Sequence, residues 1–63
     1  MAFLTAEQLA ALGAAIQKAR TQRGIHRVPA SEGEVFAYQF NNEVYWHVYG
    51  ADNAKIAKGT VPL

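Results

Sequence analysis

Residues 34 to 50, EVFAYQFNNEVYWHVYG, hold two alternating apolar runs on either side of Asn41-Asn42. Alternation at period two marks strands, and asparagine tolerates the left-handed backbone that both central positions of a type I′ turn require. The segment reads as a β-hairpin. If Phe40 faces Glu43, the cross-strand partners are Tyr38 with Tyr45, Phe36 with His47 and Glu34 with Tyr49. Between them, Gln39 faces Val44, Ala37 faces Trp46 and Val35 faces Val48. One face then carries Val35, Ala37, Val44, Trp46 and Val48. The other carries Phe36, Tyr38, Phe40, Tyr45, His47 and Tyr49. Both faces are apolar, so something must cover each.

The remainder of the chain is short. At 63 residues it forms a single domain, 1–63, and a domain of this size buries only about 60% of the surface that its unfolded chain exposes. Small domains are commonly reinforced by disulfides, a metal or oligomerisation. The chain has no cysteine, which removes the first and suits a reducing cytoplasm. No run approaches the roughly 20 apolar residues of a membrane span, and the first residues lack the charged-then-apolar pattern of a signal peptide. A soluble cytoplasmic protein with no membrane contact is the expectation.

The N-terminal third has the strongest helix signature. Thr5-Ala6-Glu7-Gln8 is a capping box, with Leu4 and Leu9 at the two staple positions. Glu7 lies near the start, and Lys18, Arg20 and Arg23 near the end, each sign where the helix dipole favours it. Gly24 suits the left-handed residue that stops a helix of about 6–23, with Ile25 folding back on Ala19 or Arg20. Leu9, Leu12 and Ile16 recur at spacings of three and four, flanked by Ala15 and Ala19, and predict the stripe that packs on the sheet. Ala10, Ala11 and Ala14 are expected on the far side.

Ile25 to Val28 precede Pro29 and read as an extended piece suited to a sheet edge, since proline donates no ladder hydrogen bond. Ser31-Glu32-Gly33 and Gly50-Ala51-Asp52-Asn53 read as turns. Asp52 is placed to cap a short helical turn over Ala54 to Lys58 ended by Gly59, with a final strand as the competing reading. The tail, Thr60 to Leu63, is apolar enough to dock. In either form the segment after Gly50 could cover the aromatic face.

Catalytic chemistry is poorly supplied. A nucleophile with base and orienter would need Ser31, His26 or His47, and Asp52 to converge from separate segments. Glu34 and Glu43 fall at opposite ends of the hairpin, too far apart for paired-carboxylate chemistry. Two histidines 21 positions apart with no thiolate make no metal motif. No catalytic residue, metal ligand or cofactor is assigned.

Formal net charge is only +1, yet Lys18, Arg20, Arg23 and Arg27 cluster in sequence while Glu32, Glu34, Glu43 and Asp52 share a segment without Lys or Arg. The basic group predicts a patch at the helix end able to touch phosphates. The aromatic face could stack bases, but with Glu34 and Glu43 on it and no basic residue between Arg27 and Lys55 it would repel a nucleic-acid backbone. Aromatic residues with few lysines match the centre of a protein interface instead.

The sequence thus predicts an α+β domain: one N-terminal helix packed on a two- to four-stranded antiparallel sheet centred on the hairpin. It predicts a non-enzymatic protein-binding module, a homodimer or accessory factor, that uses Phe36, Tyr38, Phe40, Tyr45, His47 and Tyr49. The alternative is a small nucleic-acid-associated protein that uses Lys18, Arg20, Arg23 and Arg27.

Overall fold

The computed structural model describes residues 4–63. One helix is followed by four strands: α1 (Ala6–Thr21), β1 (Ile25–Pro29), β2 (Glu34–Phe40), β3 (Glu43–Tyr49) and β4 (Lys55–Pro62). The strands form one antiparallel sheet in the order β1-β2-β3-β4. A single helix on a small antiparallel sheet is the α+β arrangement expected.

The central hairpin has the predicted register at all seven pairs, from Glu34 with Tyr49 to Phe40 with Glu43. Asn41 (φ 54°) and Asn42 (φ 63°) both take the left-handed conformation, which matches the twist of the two strands. β1 lies along the outer edge of β2, with Pro29 opposite Glu34 at its end.

The capping box closes as predicted. The Thr5 hydroxyl accepts the Gln8 N–H at 3.1 Å, and Gln8 Oε1 accepts the Thr5 N–H at 2.8 Å. The helix stops earlier than expected. It ends at Thr21, and Gln22 is already extended (φ −137°, ψ 139°). The Thr21 hydroxyl bonds back to the carbonyls of Gln17 and Lys18, which offers the last turn an alternative to further helix. Gly24 has positive φ (102°), but it serves the turn into β1. Ile25 does not fold back on the helix; it starts the strand and is 66% exposed.

The face that α1 presents to the sheet differs from the predicted stripe by about one position. Gln8, Ala11, Ala15 and Ala19 are buried, whereas Leu9 is 55% exposed and Leu12 and Ile16 sit on the flank, packed against the core. Ala11 thus belongs to the core and not to the far side. Methyl groups allow the closest approach of helix to sheet, and the core beneath them is Val35, Ala37, Val44 and Val48. That contact outweighs the larger but bulkier stripe next to it. Gln8 is accommodated because its side chain closes the cap and its Nε2 donates to the Glu32 carbonyl at 3.4 Å.

The last segment is a strand, not a short helix. Asp52 Oδ1 accepts the Ala54 N–H at 3.1 Å and Asn53 has φ 65°, so the residue expected to cap a helix instead shapes a turn. β4 then pairs with β3 from Lys55 to Pro62, with one irregularity at Val48/Tyr49. The free edge of β3 offers a ladder of hydrogen bonds that a single helical turn could not equal.

Candidate functional site

The side of the sheet away from α1 is built by alternation. β2 contributes Glu34, Phe36, Tyr38 and Phe40, and β3 contributes Glu43, Tyr45, His47 and Tyr49. Pairing adds Ile25 and Arg27 from β1, opposite Tyr38 and Phe36, and Lys55, Lys58 and Thr60 from β4, opposite Tyr49, His47 and Tyr45. The helix contacts β1, β2 and β3, and it does so through the valine core on the other face. The segment after Gly50 does not fold over the rings either, because it joins the sheet edge as β4. Among the described residues no element lies across this face.

The rings pack along the sheet. Tyr38 and Tyr45 are directly opposed, with centroids 5.6 Å apart and planes within 6° of parallel. Tyr38 also neighbours His47 at 6.0 Å, Phe36 neighbours Tyr49 at 5.3 Å, and Phe40 meets Tyr45 nearly edge-on at 6.0 Å. Such pairs stabilise by about 0.5–1.5 kcal/mol beyond the area they bury. Phe36, Tyr38, Tyr45, His47 and Tyr49 are half-buried by one another, while Phe40 is 58% exposed.

Cations flank the ladder on both edges. The Arg27 guanidinium lies 4.8 Å from the Phe36 ring centroid, and the Lys55 ammonium 6.0 Å from that of Tyr49. Three basic residues therefore share a face that the linear sequence endowed only with Glu34 and Glu43. The expected repulsion of a phosphate backbone rested on Glu34 and Glu43 alone, and β1 and β4 bring positive charge to both sides of the same face. Tyr45, His47, Lys58, Gly59 and Thr60 line a shallow depression in the face. Within it, His47 Nδ1 is shielded from water and has no hydrogen-bond partner. Burial, and after it the charges of Lys55 and Lys58, pull the His47 pKa below its ordinary value of 6.5.

The basic residues at the helix end are dispersed. Arg27 turns to the aromatic face, Arg20 donates to the Pro62 carbonyl at 3.0 Å, and Lys18 and Arg23 are exposed. The residues weighed for catalysis are held apart on separate partners. The Ser31 hydroxyl donates to the Glu7 carboxylate, His26 Nε2 meets the Gln22 carbonyl at 2.9 Å, and Asp52 shapes its turn. Among the described residues no three His, Asp or Glu side chains gather as metal ligands, and no helix is long and apolar enough to cross a membrane. Comparison of the chain with protein-family models, with curated proteins and with solved structures finds no match.

Arg27, Lys55, Lys58 and Ile25 are members of this face that the sequence did not reveal as such. Their only local signal is strand alternation, and that becomes informative only once the neighbours of β1 and β4 are known.

Proposed function

We propose that the chain is a non-enzymatic protein-binding module that docks a partner on the open aromatic face of its sheet. The observation that carries this reading is an apolar surface with Ile25 and Phe40 more than half exposed and, among the described residues, no element over it. Contiguous apolar surface of this kind marks interaction sites. Its chemistry favours a partner segment apolar at its centre and acidic at its margins. Tyrosine and phenylalanine form the centre, and Arg27, Lys55 and Lys58 stand along the two edges against Glu34 and Glu43. Ring contact supplies affinity, while the edge charges set orientation and association rate.

Single-stranded nucleic acid is the second reading, and the same flanking cations favour it. Protein fits better because the rings are already engaged with one another, and Phe36 and Tyr49 carry Arg27 and Lys55 on their faces. A stacked base needs a free ring face.

The test is photo-crosslinking in the producing cell, with a benzophenone amino acid placed at Phe40, at Tyr45 or, as control, at Gln17 on the exposed side of α1. One protein adduct shared by Phe40 and Tyr45, absent at Gln17 and weakened by Lys58→Glu, supports the reading. Adducts equal at all three positions, or none at Phe40 and Tyr45, overturn it. Binding of oligothymidylate by the purified chain, abolished by Tyr38→Ala and by added salt, would replace it with the second reading.

A further inference from the structure

The helix is too narrow for the sheet it covers. An α-helix with its side chains is about 10 Å across, whereas four strands at about 4.8 Å spacing present roughly 19 Å. α1 resolves the mismatch by running over β1, β2 and β3 with its backbone away from β4, which the long Arg20 side chain reaches at the Pro62 carbonyl. The inner side of β4 and the outer half of β3 are left to half-buried Trp46, Ile56, Ala57 and Val61. A lane one helix wide runs beside α1 over these residues.

The flank of α1 that borders this lane has the pattern of a helix-packing seam. Leu9, Leu12, Gly13 and Ile16 fall at i, i+3, i+4 and i+7. Arg20, one turn beyond Ile16, places this flank on the β4 side because its guanidinium reaches the Pro62 carbonyl. Leu9 is 55% exposed. Gly13 is exposed, and a Cβ built on it meets nothing within 4 Å. Glycine in a helix interior costs about 1 kcal/mol relative to alanine, and no neighbour among the described residues requires it here.

We propose that the lane is filled by α1 of a second copy of this chain, lying antiparallel beside the first about a two-fold axis. Such a pair, centred between Leu12 and Gly13, sets Leu9 against the partner's Ile16 and seats each Leu12 in the gap left by the partner's Gly13. The exposed Leu9 of the second copy then approaches the end where Leu63, 52% exposed, leaves β4. The antiparallel orientation also sets the two helix dipoles against each other, each N-terminus beside the other's C-terminus. Each lane is roughly 24 Å long and about 10 Å wide, so its floor and the helix surface that fills it, summed over the two lanes of a dimer, bury on the order of 1,000 Å², the lower limit for a specific interface. The aromatic face plays no part in this contact and stays free for a partner.

Sedimentation equilibrium of the full chain across micromolar to submillimolar concentrations tests the proposal, with a species of twice the 6.9 kDa chain mass expected. Leu9→Glu should weaken self-association about a hundredfold, since each dimer loses two apolar contacts of about tenfold each, and Tyr45→Ser should leave it unchanged. Gly13→Leu separates assembly from folding, because it should raise the melting temperature of the dilute monomer while weakening the dimer. A monomer at every concentration overturns the proposal, as does a dimer lost with Tyr45→Ser and retained with Leu9→Glu. A monomer leaves the crosslinking from Phe40 and Tyr45 untouched, and a dimer held through Tyr45 would appear there as a self-adduct, so the two readings fail separately.

Discussion

The Trp46 indole lies across Gly59, its cross-strand partner, so closely that a Cβ on Gly59 would stand 2.6 Å from Cζ2 and 2.9 Å from Cε2. The glycine is thus a slot for the large ring of Trp46 on the helix side of the sheet. It lets Trp46 lie over β4, the strand that the α1 backbone does not cover.

Gly59→Val should therefore destabilise the chain by about 1–3 kcal/mol, the range for overpacking a filled site. The β-branched side chain would otherwise suit a strand, so intrinsic propensity and packing predict opposite signs. Urea unfolding followed by Trp46 fluorescence decides between them, and an unchanged or raised midpoint would show that the indole has room to move.

The Asn41-Asn42 turn gives an effect of opposite direction. Both residues have positive φ, and glycine meets that demand without steric cost. Asn42→Gly should stabilise the hairpin by a few tenths of a kcal/mol, whereas Asn42→Ala should lose about 1 kcal/mol. Thermal unfolding of the two variants beside the parent chain reads both changes.

What the sequence revealed and what it concealed divide by range. The hairpin register was legible because Asn41-Asn42 fixes it locally, and the capping box because Thr5 and Gln8 are three residues apart. The strand character of Lys55 to Pro62 was not, since it depends on β3 offering a free edge beside it. The buried side of α1 was missed for a related reason. Leu9, Leu12 and Ile16 are more apolar than Ala11, Ala15 and Ala19, but how closely a helix can approach a sheet is a property of both surfaces. The cations of the aromatic face became visible only when β1 and β4 took their places next to β2 and β3.

Gly33 should be the least replaceable glycine. It has φ 73°, and a Cβ there would run into the Tyr49 carbonyl and stand 2.6 Å from the Gly50 oxygen, both backbone atoms that cannot rotate away. Ala30 N–H also donates to the Gly33 carbonyl at 3.2 Å to close the turn between β1 and β2. Gly33→Ala should cost at least about 2–3 kcal/mol from the conformation and the clash together. In a domain of this size that is a large part of the total stability. The expected readout is a circular dichroism spectrum with reduced strand signal at ambient temperature.

His47 should give the fold a mild sensitivity to acid. Its pKa in the folded chain lies below the ordinary 6.5, through burial first and then through Lys55 and Lys58, so the unfolded chain binds the proton more readily. Above about pH 7 the imidazole is neutral in both states and contributes no pH dependence. As pH falls through 6.5 toward the lower folded value, protonation favours unfolding and stability declines; below that value the loss levels off. His47→Gln removes this titration, so the difference in unfolding free energy between parent and variant should shrink in the parent's disfavour from pH 7 to pH 5. Taking the difference cancels the carboxylates and His26. Lys58→Gln should bring the His47 midpoint, followed by the NMR shift of its ring protons, back toward 6.5. A difference that instead grows in the parent's favour on acidification would mean that an acidic group holds the imidazolium, and the account of His47 as a histidine kept neutral would be wrong.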